Sequence, residues 1–383
     1  MDFSFTKEQE LLRNSIEEFC KKEVDPYVSK WVKERSFPRD LLKKLSNIGL
    51  TGMNIPEELG GSPLDNVSQG IVAETLGRHE LVAPIFLTIF GFARLLPFIV
   101  DDEVRGEVIG KLLRGELLIA GAFTEPGCGS DAAAITTKAE KLGDVYRVKG
   151  EKAFITGAPI ADVFIASVVT GSSDKPHRNI SLLLIEANRR GVEPYELESM
   201  ASDLKGEFGG VIFDNVEVPV GNLIGMENLG FYLLMEEFNI LRVLIALSSL
   251  GLAERCLEEA VKYAKQRTAF GQPISRFEAV SFRLAEHWTK IQCAKLLAYK
   301  ALWLADNKKP YMAEAAAAKW YGCEEAFSTV NDVIQTFGAV GYTKDYPFER
   351  IFRALRGLLI GDGTSDIMKL IISRLLFGKG YSP

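Results

Sequence analysis

Along the first 115 residues, apolar side chains recur at helical spacing. In EQELLRNSIEEFCKKEV, the residues Leu11, Leu12, Ile16 and Phe19 fall on one face at i, i+4 and i+7 or i+8 separations, the stripe of an amphipathic helix. PRDLLKKLSNIGL sets Pro38 before such a stretch and Gly49 at its end, the usual start and stop chemistry. DDEVRGEVIGKLLRGE continues the pattern with acids at its head. From about residue 116 to 225 the runs shorten: VYRVKGEKAFIT, DVFIASVVT, ISLLLIE and GGVIFDNVEVP, separated by Gly, Pro, Asn and Asp. These predict strands and hairpin turns. ISLLLI is apolar at successive positions, as a strand buried on both faces is. From about residue 230 the helical period returns in one long proline-free segment. Two more follow around 276–307 and 311–338, and a last helix begins near Thr364. The order of helices, sheet and helices predicts an α+β fold in three domains, 1–115, 116–228 and 229–383.

Composition narrows the function. The 383 residues are 47% hydrophobic and 25% charged, with a formal net charge of −6. That balance draws the chain neither to nucleic acid nor to an anionic membrane. Five scattered cysteines without C-x-x-C spacing argue against a disulfide framework or a zinc site. Three histidines, none at metal-ligand spacing, leave little for a metal centre or a His triad. The longest uncharged run, Leu81 to Ala93, contains Pro84 and falls short of the ~18 residues of a membrane span. A buried helix is expected there. With a charged N-terminal segment and no apolar leader, the expected location is the cytoplasm.

Five segments carry candidate chemistry. Phe123 to Asp131 (FTEPGCGSD) follows a strand-like Leu117–Ala122; Gly127 and Gly129 would let main-chain N–H groups approach a flavin edge or a phosphate. An ordinary turn competes with that reading, and the spacing is not G-x-G-x-x-G. Lys152 to Gly157 (KAFITG) puts an aromatic and a hydroxyl two residues apart, on one side of a strand; a core Phe is the bland alternative. Arg267 to Ile274 (RTAFGQPI) closes a long helix, with Gly271 and Pro273 expected to end it. Arg267 could clamp a pyrophosphate or simply complement the helix dipole. Gln335 to Tyr342 (QTFGAVGY) reads as a glycine turn or a dinucleotide contact. In Ile360 to Ile367 (IGDGTSDI), Asp362 stands between glycines ahead of a helix that Thr364 or Ser365 could cap. Alone, such an Asp is more often a turn residue than a base.

Together, in this order and spacing, these segments resemble the acyl-CoA dehydrogenase family over almost the whole chain. FDNVEVPVGNLIG and the long QTFGAVGYTKDYPFER…IGDGTSDI stretch add to the likeness. The resemblance implies a helical N-terminal domain, a middle β-barrel or sandwich, a C-terminal four-helix bundle, bound FAD and a homotetramer. By matching position, Gly121 to Ser130 would line the flavin, including Phe123, Gly129 and Thr124 near its pyrimidine ring, and Ser130 would also touch the CoA side. Phe154 would pack on the isoalloxazine face, where relatives often have Trp; Ile155 lies between it and Thr156, which would bond near N5. Arg267 and Phe270 would reach the FAD of a neighbouring subunit. Gln335 to Ala339, including Gly338, would meet its diphosphate and adenosine, and Thr364, Ser365 and Asp366 would complete the cradle. Asn239, Leu241 and Arg242 would run along the CoA, with Arg242 beneath the loop of Gly361, Asp362 and Gly363.

The implied reaction couples abstraction of the α-proton of a thioester by a carboxylate to loss of the β-hydrogen as hydride to flavin N5. Hydrogen bonds to the thioester oxygen stabilise the developing enolate. Electrons would pass to an electron-transferring flavoprotein. Relatives usually carry Glu as base where this chain has Asp362. Others place a Glu immediately before the Arg matching Arg242, where this chain has Leu241; Glu236 and Glu237 match neither position. Asp is shorter by one methylene, about 1.5 Å. Gly361 stands where many relatives have Tyr and leaves room for a bulkier acyl group to approach the shorter base. The expectation is a branched or alicyclic acyl-CoA, such as a cyclohexanecarboxyl thioester. Two alternatives stay open: a flavin oxidase like the nitroalkane oxidases, which have Asp at the base position, and a catalytically silent subunit that binds FAD and CoA.

Overall fold

The computed structural model of the chain describes residues 4–80, 83–378 and 380. Helices come first: α1 (Lys7–Glu23), α2 (Val28–Glu34), α3 (Asp40–Asn47), α4 (Asn66–Gly77), α5 (Ala83–Phe90) and α6 (Asp102–Leu113). α1 opens on a capping box in which the Thr6 hydroxyl accepts from Gln9 N and Gln9 Oε1 accepts from Thr6 N. It buries Ile16 and Cys20, while Leu11 is 66% exposed. The expected face is thus corrected. Positions 12, 16 and 20 share a line at i, i+4, and Leu11 is rotated about 100° from it. Gly49, at φ 80°, follows α3 as expected. Of the long uncharged run, Leu81 and Val82 lie outside the described residues. The rest contains α5, which buries Ile85, Phe86, Ile89 and Phe90. Among the described residues no helix is long and apolar enough to cross a membrane.

The strands are β1 (Ile119–Ala122), β2 (Lys138–Leu142), β3 (Val145–Thr156), β4 (Val163–Val169), β5 (Ile180–Glu186), β6 (Val192–Glu196), β7 (Phe208–Pro219) and β8 (Leu223–Ile224). They form one sheet in the order β6-β7-β3-β2-β4-β5-β8, with β1 parallel on β4. Side chains from six strands, among them Ala120, Ala139, Val148, Phe164, Leu183 and Phe213, meet in one core. β5 is buried on both faces, as its apolar run predicts. Three strands escaped the pattern. β2 (KAEKL) buries only Ala139, β6 (VEPYE) carries a proline tolerated at the sheet edge, and β8 has two residues.

The helices resume with α7 (Gly230–Gln266). A two-stranded hairpin follows, β9 (Thr268–Ala269) with β10 (Gln272–Pro273), then α8 (Glu278–Asp306), α9 (Met312–Phe337), α10 (Phe348–Leu358) and α11 (Ser365–Phe377). Gly271 and Pro273 therefore do not end α7, which stops at Gln266. They belong to the hairpin, whose two turn residues Phe270 and Gly271 both have positive φ, 51° and 78°, as a tight two-residue turn demands. α10 is not among the helices predicted from the pattern, although Phe348, Ile351 and Leu355 form its buried stripe directly after Pro347.

Contacts divide the chain into two units. One comprises Met1–Val28, Asp65–Leu81 and Asn239–Pro383; the other Ser29–Leu64 and Val82–Phe238. Leu250, Leu257, Ile291, Val330, Phe337 and Phe348 anchor a helical core of the first. There α4 meets α7 so closely that a Cβ on Gly77 would lie 2.2 Å from the Ser248 carbonyl oxygen.

Candidate active site

In the sheet-containing unit the FTEPGCGSD segment is a tight loop. Glu125 and Cys128 exchange main-chain hydrogen bonds at 3.0 and 3.1 Å, and Ala153 N donates to Thr124 O at 2.9 Å, tying the loop to β3. Beneath it lies an ion pair that the sequence reading missed. Lys152 Nζ is 2.9 Å from Glu125 Oε1 and also donates to Phe123 O at 3.1 Å and Ser167 Oγ at 3.2 Å. Both side chains are buried. The second Glu125 oxygen accepts from Thr136 N and Oγ at 2.7 Å, and Oε1 from Thr137 N at 2.9 Å. Burial alone would raise the Glu125 pKa, but the Lys152 ammonium and the Thr137 donor outweigh it and hold the group at about 2.

The loop faces outward from this base. Ser130 and Gly129 are exposed, and a Cβ on Gly127 would meet nothing within 4 Å. Phe123 is half-buried in an aromatic chain, 5.5 Å from Phe92 and 5.8 Å from Phe238 between ring centres. On β3 the pairing with β7 slips between Lys152 and Ile155. At this bulge Phe154 adopts φ 59° and is 56% exposed. Phe154 and Thr156 share the less buried side, as expected, while Ala153 and Ile155 point into the core. Ile155 is buried, so its main chain is what it can offer a ligand, and packing also requires a glycine at Gly121, since a Cβ there would lie 2.4 Å from the Phe92 ring.

In the helical unit, Asp362 (φ 55°) and Gly363 (φ 104°) form the turn before α11, and the Thr364 hydroxyl caps that helix by accepting from Ile367 N at 3.3 Å. Arg242 Nε donates to Asp362 O at 2.9 Å. Lys319 Nζ donates to Gly363 O at 2.6 Å. Arg242 thus sits against the loop as expected, and Asn239 Oδ1 accepts from its Nη1 at 3.4 Å. Asn239 is nearly buried and Leu241 completely so. The Leu241 side chain is thus turned away from the surface. Burial pushes the Asp362 carboxyl above its usual range, against the pull of Lys319 and Arg242. Beside it, a Cβ on Gly361 would find no atom closer than 3.8 Å. Ser365 is partly buried in the first turn of α11, and the Asp366 side chain next to it is 94% exposed.

The remaining candidates lie at the ends of α7 and α9. Tyr263 stacks on Phe337 with ring centres 4.1 Å apart, joining the segment before Arg267 to the Gln335–Gly338 turn. Arg267, Gln335 and Gly338 are exposed, and the Phe270 side chain is 96% exposed. Lys152 and Lys319 each left a faint trace in the sequence: a cation beside apolar residues, AFI after the first and AAAA before the second.

Family models described as acyl-CoA dehydrogenase N-terminal, middle and C-terminal domains match residues 6–116, 120–216 and 228–377. A 3-(aryl)acrylate reductase of Clostridium sporogenes is 36% identical over 96% of this chain and 98% of its own length. A mitochondrial isobutyryl-CoA dehydrogenase of Dictyostelium discoideum is also 36% identical, over 97% of this chain and 89% of its own. The crystal structure of an acyl-CoA dehydrogenase from Geobacillus kaustophilus superposes with a TM-score of 0.93 at 32% identity, covering 98% of this chain and all of that one. The family's cofactor is FAD, and the residues present fit it: an exposed aromatic face at Phe154, a hydroxyl at Thr156 and open main chain at Gly127. The three domain models, the aligned relatives and the shared fold make the chain a member of the acyl-CoA dehydrogenase family of FAD-dependent oxidoreductases.

Proposed function

We propose that this chain forms or reduces the Cα–Cβ double bond of a CoA thioester whose acyl group is branched or alicyclic, with Asp362 as the proton-transferring base. The observation that carries the reading is how the Asp362 turn is held: the carbonyls of Asp362 and Gly363 accept from Arg242 and Lys319, and burial raises the Asp362 carboxyl above its usual range. A partly buried carboxylate in a fixed turn is suited to take a proton from carbon. In the oxidative direction Asp362 accepts the α-proton, the β-hydrogen departs with its electron pair, and the two carbons gain a π bond. FAD, when bound, supplies the acceptor for that hydride. Phe154 and Thr156 orient the flavin, and the Gly127–Ser130 loop receives its edge. In the helical unit, Arg267 reaches the FAD of a neighbouring subunit, and Gln335, Gly338 and Thr364 to Asp366 are further contacts for FAD.

Open space at Gly361 supports a bulky acyl group. So do the two relatives, one named for the branched isobutyryl group and one for an aryl-substituted acid. The second of these is a reductase, so flux in either direction is part of the proposal. We also infer an electron-transferring flavoprotein as redox partner. Four copies of the chain form the assembly, in which Phe270 is covered by a neighbour, and the three-domain division at 115/116 and 228/229 holds in each.

The test is anaerobic bleaching of the flavin by isobutyryl-, cyclohexanecarboxyl-, butyryl- and octanoyl-CoA, with Asp362→Asn alongside. Bleaching fastest with the first two, and abolished in Asp362→Asn, supports the reading. A clear preference for straight chains removes the acyl assignment. Bleaching by nitroalkanes alone, with peroxide formed in air, replaces it with the oxidase reading, and a flavin that nothing bleaches with the silent subunit.

A further inference from the structure

Lys319 lies on α9 at the end of Ala315–Ala318 and is completely buried. A buried ammonium is tolerated only where its protons find acceptors. Its acceptor is the Gly363 carbonyl at 2.6 Å, while the preceding carbonyl, that of Asp362, accepts from Arg242 at 2.9 Å. Two successive carbonyls of the turn are therefore gripped by two cations from two different helices, α9 and α7. The turn needs such a grip, because Asp362 and Gly363 both hold positive φ and such a backbone persists only where its surroundings impose it. A charge-assisted bond at each carbonyl resists rotation of either peptide plane.

The ionisable groups around Lys319 are Cys323 and Glu324 on α9, Arg242 on α7 and Asp362 in the turn. Those acting on Asp362 are Lys319 and Arg242. Lys319 thus touches the loop through the Gly363 oxygen and acts on the Asp362 carboxylate only through space.

We propose that Lys319 is a positioning residue of the reaction: its buried side chain locks the peptide after Asp362 and sets its nitrogen beside the neighbouring carboxyl. This rests on Asp362 being the base. In that role it is the counterpart of Arg242, reaching the turn from another helix.

The experiment compares FAD-loaded wild type, Lys319→Met and Lys319→Arg by the rate of anaerobic bleaching across pH, using whichever of isobutyryl-CoA and butyryl-CoA bleaches wild type faster. Lys319→Met is expected to keep its flavin and lose at least roughly tenfold in the plateau rate through misplacement of the base. Its acid limb is expected to move up by about one pH unit, since an attractive cation has been removed. Lys319→Arg is expected to return the limb to its wild-type position at a reduced plateau rate. A folded, flavin-loaded Lys319→Met whose limb has not moved overturns the proposal. If that variant does not fold, Lys319→Arg decides: a plateau rate equal to wild type overturns it. Asp362→Asn separates the two claims, because full bleaching in that variant removes the base assignment itself, whatever Lys319 does.

Discussion

Lys152 Nζ lies 2.9 Å from Glu125 Oε1 with both side chains buried, and the pair sits directly under the loop assigned to the flavin. Removing one partner strands the other. Lys152→Met leaves the Glu125 carboxylate buried without its cation and should cost about 3–5 kcal/mol. Denaturant unfolding at neutral pH measures this, and Lys152→Met with Glu125→Gln should recover part of the loss. The sign of the pH dependence follows from the depressed pKa. The stabilisation from Glu125 is complete above its ordinary value of 4.5 and is lost as pH falls through about 2. The double variant should lack that acid-labile contribution, and an unchanged acid transition would count against the pair.

Glu237 behaves in the opposite sense. Arg94 Nε is 3.2 Å from its Oε2, yet its other oxygen is buried with no hydrogen-bond partner among the described residues. Burial pushes its carboxyl from 4.5 up to about 7, in spite of Arg94. Between those values the folded chain binds more protons at this site than the unfolded one, so its contribution to stability falls as pH rises. Glu237→Gln should flatten that fall. Unfolding midpoints of the two proteins across the interval test it; parallel curves would mean that Glu237 is ionised throughout.

Gly363 should not tolerate a side chain. Its φ of 104° suits glycine alone, and a Cβ would come within 2.6 Å of the Met368 terminal methyl. The methyl can move, but the backbone strain remains, about 1–3 kcal/mol. Gly363→Ala should lower the thermal midpoint modestly and depress flavin bleaching far more than flavin content, because it displaces Asp362 rather than the flavin loop. Equal losses in both would indicate general misfolding instead.

Phe270 combines a φ of 51° with a side chain 96% exposed. A bulky residue held there is strained, and a neighbouring copy that covers the ring would offset this. Phe270→Gly should relax the hairpin, yet shift the sedimentation profile towards smaller species and weaken FAD retention. An unaltered mass and flavin content would show that no second copy uses this ring.

Much of this molecule was written in local pattern. The two outer helical stretches, β3 and β5 at their observed residues, the Thr364 cap and the family-matching segments all follow from periodicity and turn chemistry, which act over a few residues. Leu11, β2 and β6 do not follow from pattern because neighbours distant in the chain determine which face is covered and which polar strand is paired; the end of α7 turns instead on a local competition, in which Gly271 and Pro273 serve a hairpin rather than a helix stop. The same holds for the site. Asp362, Phe154 and Arg242 could be nominated from sequence. The partnership of Lys152 with Glu125, the grip of Lys319 on Gly363 and the burial of Leu241 could not, since they join residues separated by tens of positions. A charged side chain looks alike in sequence whether it is solvated or enclosed; only the packed chain sets its dielectric surroundings and its partners, and with them its chemistry.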